Sequence, residues 1–296
     1  MTKTEWISDF QEEADKILAY VERNVRNHKD KASEMNTRLR AYRDIQIEKI
    51  KLKSRKETWD KETFLNEILC LTYAFYIIML TYRNKVWKYE YMAFSRRIGE
   101  IWEPFCRLPF EYPIRPLRMI KPPAFETVQE QIRSVTASYI DSLGLDKTIQ
   151  EELKRQYEIP WTMVDSGGIK LGLDLHFEQN GIHYNCDFKS GFSSNEKGNT
   201  NRLLLVASIY HYLGETEKTV LFVRQNEDEN NHYLQMLKNS PYWQVYCAEE
   251  SYSVMKQFTG FDMRQWLDTH ADWTNDIGAE LRQHLADNGL LKYLTW

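Results

Sequence analysis

Apolar positions are sparse and helically spaced through the first fifth of the chain. Ile17, Tyr20, Val21 and Val25 form a narrow stripe within 5–58, a stretch without Gly or Pro that predicts a long polar helix. Residues 62–103 predict one or two further helices rich in Tyr, Phe and Trp. Within them Ile68 to Tyr82 carries no charge for 15 residues, short of the roughly 20 that span a bilayer, which predicts a buried core helix. Proline then recurs at Pro104, Pro109, Pro113, Pro116, Pro122 and Pro123, so 104–123 reads as an extended connector and the best domain boundary. Helix resumes over 125–157, broken near Gly144.

After Pro160 the period changes. Short β-type runs fall at 161–164, 169–177, 182–189, 219–225 and 243–247. A helix near 200–213 and a second segment near 229–238 separate the later runs, and the tail 262–296 reads as helix. This order predicts an α/β fold in which a mixed central β-sheet is flanked by helices, with an N-terminal helical region attached. The expected division is 1–123 for recognition or dimerisation and 124–296 for the sheet-bearing core with its C-terminal helix.

Composition narrows the function classes. The net charge of −4 gives no whole-molecule attraction to nucleic acid, so any such contact needs local basic patches. Two exist: Lys49-Ile-Lys-Leu-Lys-Ser-Arg-Lys56, and the connector with Arg107, Arg115, Arg118 and Lys121. Cys70, Cys106, Cys186 and Cys247 are widely spaced and form no C-x-x-C pair, which argues against a zinc ribbon or a disulfide framework and for reduced thiols in the cytoplasm. The N-terminus carries no apolar signal segment and no membrane role is expected. Phosphate-loop and nucleophile-elbow motifs are absent.

The informative stretch is Leu171-Gly-Leu-Asp-Leu-His-Phe-Glu-Gln-Asn-Gly-Ile-His-Tyr-Asn-Cys-Asp-Phe-Lys189. Asn180-Gly181 is a two-residue hairpin signal that pairs Gln179 with Ile182. Counting back, Leu173 faces Phe188, Leu175 faces Cys186 and Phe177 faces Tyr184 on an apolar side. On the other side His176 faces Asn185, Gly172 faces Lys189, and Asp174 faces Asp187. Facing carboxylates repel, and a divalent cation and the Lys189 ammonium could relieve this. Oxygen ligands in this number suit Mg²⁺. Gly167, Gly168, Gly172 and Gly191 around the strands are compatible with close approach by a ligand. His176 and His183 share the polar side and leave a histidine–carboxylate metal site open as an alternative.

An acidic residue on one strand followed by Asp-x-Lys on the next resembles the PD-(D/E)xK nuclease superfamily, over roughly 145–250. Leu173 stands where that family often has proline. The size and added helices look like a type II restriction endonuclease. The resemblance implies a Mg²⁺-dependent hydrolase of duplex DNA, with Asp174, Asp187 and the Phe188 carbonyl as metal ligands and Lys189 as the catalytic lysine. An acidic residue from the preceding helix often joins such sites, and Glu158 is the candidate nearest in sequence. Asn201 and Arg202, expected to open the following helix, and Arg115 and Arg118 of the connector would contact DNA. A homodimer is expected for a palindromic target. The competing expectations are a non-enzymatic helical interaction or DNA-binding protein, and a repair or mobile-element nuclease with the same core.

Overall fold

A computed structural model describes residues 1–162, 169–192 and 196–296. The first polar stretch is two helices, α1 (Lys3–Asn24) and α2 (His28–Glu57), rather than one. Asn27 causes the break: its side chain accepts the Asp30 N–H at 2.8 Å and starts a new helix. An Asn cap needs no Gly or Pro, so the helical pattern runs through it unmarked. Helix α3 (Lys61–Val86) is capped by Asp60 and is buried on every side from Ile68 to Asn84. Its length and apolarity match a membrane span, yet α1, α2, α4 (Tyr91–Glu111) and α12 (Ala279–Asp287) pack around it.

The proline run begins inside a helix. Pro104 and Pro109 lie within α4, so the extended connector starts at Tyr112 and not at 104. Each proline forfeits one i→i−4 hydrogen bond. Burial of Trp102, Phe105, Cys106 and Phe110 offsets that loss. The connector contains a two-residue edge strand, β1 (Arg118–Met119). Helices α5 (Phe125–Ser142) and α6 (Lys147–Thr162) follow, separated by Gly144 at φ +64°. The expected strand at 161–164 is therefore helical at its first two positions; its remainder, like Gly167 and Gly168, lies outside the described residues.

Strands β2 (Leu175–Gln179), β3 (Ile182–Lys189), β4 (Glu217–Val223) and β5 (Trp243–Cys247) complete a five-stranded sheet in the order β1-β2-β3-β4-β5. The first three strands are antiparallel; β3, β4 and β5 are parallel, joined by α7 (Lys197–Leu213) and α8 (His232–Lys238). The fold is thus a mixed α/β architecture. One sheet face, with Leu175, Phe177, Cys186, Phe188, Val220 and Phe222, packs on α4 and α9 (Glu249–Thr259) and shares a single apolar core with α1–α3. Trp102 meets Phe188 edge-on at 5.8 Å. The opposite face packs Leu221, Val223 and Trp243 against Leu203 and Ala207 of α7 and Leu234 and Leu237 of α8. The tail is not one helix but α10 (Met263–His270), α11 (Trp273–Asp276), α12 and a final 3-10 turn.

Trp102→Ala removes the aromatic bridge between α4 and the sheet and is expected to cost about 3–5 kcal/mol, read from urea unfolding. A loss below about 1 kcal/mol would mean that α4 is held by other contacts.

Candidate active site

Asn180 (φ 56°) and Gly181 (φ 80°) are both left-handed, as a type I′ turn requires. Glu178 Oε1 accepts the Gly181 N–H at 2.9 Å. The ladder runs in the register that this turn dictates, from Gln179 opposite Ile182 to Leu175 opposite Cys186. There it stops, one residue short of the carboxylate pair. Continued alternation would aim the Phe188 N–H at the Leu173 carbonyl. Instead the Asp174 carboxylate takes that N–H at 2.8 Å. The Leu173 N–H turns back to His176 Nε2 at 2.8 Å, and Leu173 packs beside α7 rather than against Phe188. The expected Leu173–Phe188 and Gly172–Lys189 pairs are therefore not formed: a side chain has replaced the backbone in the ladder.

The bend leaves Asp174 beside the carboxyl end of β3. Asp187 is fully buried there, and no backbone or neutral side-chain group donates to its oxygens. Its neighbours are ionic. The Lys189 ammonium touches Asp187 Oδ1, lies 4.0 Å from Asp174 Oδ2 and donates to the Phe188 carbonyl at 3.2 Å. Arg202 Nη2 is 3.5 Å from Asp187 Oδ2. Burial pushes the Asp187 carboxyl up from the usual carboxylate range, Lys189 opposes this, and Asp174 adds to it by repulsion.

A third carboxylate approaches from α4. Burial and repulsion from Asp174 raise Glu103, while Arg107, donating to it at 3.2 Å, opposes the rise. Glu103 has no distinguishing mark in the sequence: it sits among ordinary i,i+4 charge pairs, 71 residues before Asp174. Glu158, the expected acidic partner, is engaged by Arg133 at 2.9 Å between α5 and α6 and does not join the pair.

The expected DNA contacts separate. α7 begins at Lys197, so Asn201 and Arg202 lie in its second turn and do not open it; Arg202 reaches Asp187, and Asn201 is exposed. Arg115 donates to the Gln257 carbonyl at 2.7 Å and holds the end of α9. Arg118 pairs with Glu178 near the turn, roughly 13 Å along the hairpin from Asp174.

The same sheet face carries a second polar array. His176 Nε2 accepts the Leu173 N–H, so its proton resides on Nδ1, which donates to Asn185 Oδ1 at 2.7 Å. Asn185 Nδ2 donates to Glu217 Oε2 at 2.7 Å, and Glu217 Oε1 bonds His183 Nδ1 at 2.7 Å. The geometry requires a neutral His176, and burial lowers its pKa. Both histidines are thereby committed to hydrogen bonds that bypass the carboxylate pair.

Among the described residues no three His, Cys, Asp or Glu side chains converge on one point. Asp174, Asp187 and the Phe188 carbonyl are the oxygen donors on offer. A buried carboxylate with unspent lone pairs fits a hard cation that keeps several of its waters, and the set is poor for zinc. No family model matches the chain, and neither a curated protein nor a solved structure matches it.

Two outcomes are expected. Asp187→Asn removes a buried charge and raises the melting temperature of metal-free protein near neutral pH; a drop of several degrees would show that the Lys189 pair outweighs the cost of burial. His176 resists protonation in the folded state, whereas the unfolded chain takes up a proton near the ordinary value of 6.5. Stability is therefore complete above that pH and falls as pH drops through it, which urea midpoints between about pH 7.5 and 5.5 measure. His176→Gln should flatten that segment while costing about 1–3 kcal/mol at neutral pH.

Proposed function

We propose that the protein is a Mg²⁺-dependent endonuclease of the PD-(D/E)xK type, cutting duplex DNA in the manner of a type II restriction endonuclease. The carrying observation is Asp187: a buried carboxylate whose partners are cations alone, a lysine and an arginine, beside a second carboxylate. The order α6, hairpin β2-β3, α7, β4 supports a core of that kind.

Asp174, Asp187 and the Phe188 carbonyl would hold the ion. When bound, Mg²⁺ supplies Lewis acidity and an acidified water. Lys189 orients the attacking water and offsets charge on the phosphate. Arg202 holds a non-bridging phosphate oxygen from the α7 side. Glu103 of α4, which feels the charge of Asp174, takes the place expected of Glu158 and orders water at the edge of the site. The products are a 5′-phosphate and a 3′-hydroxyl. A palindromic target calls for a homodimer.

The other reading is a binding module in which Lys189 serves only to neutralise Asp187, and the direct ion pair between them favours it. Incubation with phage DNA separates the two. Discrete fragments with Mg²⁺ and none with EDTA are expected, and Lys189→Ala should cut the rate by about 10²–10³-fold or more with an unchanged circular dichroism spectrum. Glu103→Gln should slow cleavage, whereas Glu158→Gln should leave it within about twofold. Intact DNA under all conditions would exclude the nuclease.

A further inference from the structure

Beyond the carboxylate pair, on the same sheet face and toward the hairpin turn, lies a cavity of about 440 Å³. Asn185, Tyr210 and Val128 form its inner end and are almost fully buried. Arg118 and Lys121 stand at its outer end, exposed. Pro122 and Leu213 add apolar surface between the two. The volume falls in the range of small-molecule sites, as does the pairing of apolar walls with a few fixed polar groups.

The polar groups here have capacity to spare. Arg118 spends Nε on Glu178 and leaves both terminal guanidinium nitrogens; Lys121 has no acidic partner among the described residues. The Thr127 hydroxyl and Gln131 amide on α5 make no hydrogen bond among the described residues. Deeper in, each Glu217 oxygen holds one donor and keeps a lone pair, and His183 keeps Nε2. Glu217 retains 14% and His183 39% of their side-chain exposure, so both are accessible from the cavity. The array therefore presents cations outside, apolar walls between, and a carboxylate acceptor inside. Its complement is an anion joined to a weakly polar body that carries a hydrogen-bond donor such as an amino group.

We propose that this cavity binds a nucleoside monophosphate, with the phosphate at Arg118 and Lys121 and an amino-bearing base beside Glu217. The occupant touches the start of the Glu217–Asn185–His176 chain, which ends on the Leu173 N–H next to Asp174. The site does not depend on the nuclease reading, because none of its residues holds the proposed metal.

Isothermal titration calorimetry of the full chain in EDTA tests it, with AMP, CMP, UMP and orthophosphate as probes. AMP or CMP is expected to bind; UMP, without the amino group, and orthophosphate should bind at least about tenfold more weakly. Lys121→Ala should weaken binding roughly fivefold. Thr127→Trp, an exposed position on α5, should fill the cavity and weaken binding more than about twentyfold. Asp187→Asn should leave affinity unchanged. Absence of heat with AMP and CMP at about 1 mM, equal affinity for orthophosphate, indifference to Thr127→Trp, or loss with Asp187→Asn would each overturn the proposal.

Discussion

Taking a carboxylate out of water costs several kcal/mol unless ions or donors replace the lost hydration, and at Asp187 the replacement is almost wholly ionic. The backbone of β3 is committed to β2 and β4 and offers Asp187 no donor. Lys189, two residues on and on the same strand face, supplies one charge; Arg202, from the second turn of α7, supplies another. Both are partly exposed, so the buried anion is linked to solvent through cations that a phosphate ester could also engage. A core built for stability alone would place an apolar side chain here.

The scaffold that tolerates this has a large, continuous apolar core. α3 is enclosed on all sides, and its core continues through α4 onto the sheet. α4 is the bridging element: Trp102 and Phe110 pack on the sheet, while Glu103 of the same helix is electrostatically coupled to Asp174. The two prolines within α4 weaken its backbone hydrogen bonding, and aromatic burial makes up the difference. The position of Glu103 thus follows from hydrophobic packing some distance from any charge.

His176 links the two halves of the polar face. It occupies the place where the β2–β3 ladder ends, accepting the Leu173 N–H that the ladder no longer uses and donating its Nδ1–H to Asn185 Oδ1. The bend that frees the Asp174 carboxylate to bond the Phe188 N–H is therefore sustained by a neutral imidazole. The carboxylate pair and the adjacent cavity share that one constraint on the backbone.

Chain-local rules were enough for the hairpin. The Asn-Gly turn imposes its register because only left-handed residues close a two-residue loop, and period-2 alternation then sorts Asp187 and Lys189 onto one side. The enclosed α3 was legible for the same kind of reason, a long uncharged run too short to span a bilayer with ease. Four features came from three-dimensional packing instead. The ladder ends at Leu175 because a carboxylate outcompetes a carbonyl for the Phe188 N–H; α4 persists through Pro104 because its aromatics are buried. Glu103, not Glu158, is the helical carboxylate electrostatically coupled to Asp174, and Arg118, expected to contact DNA, pairs with Glu178. In each case the deciding energy lies between residues far apart in the chain, and periodicity, turn chemistry and composition carry no information about such pairs.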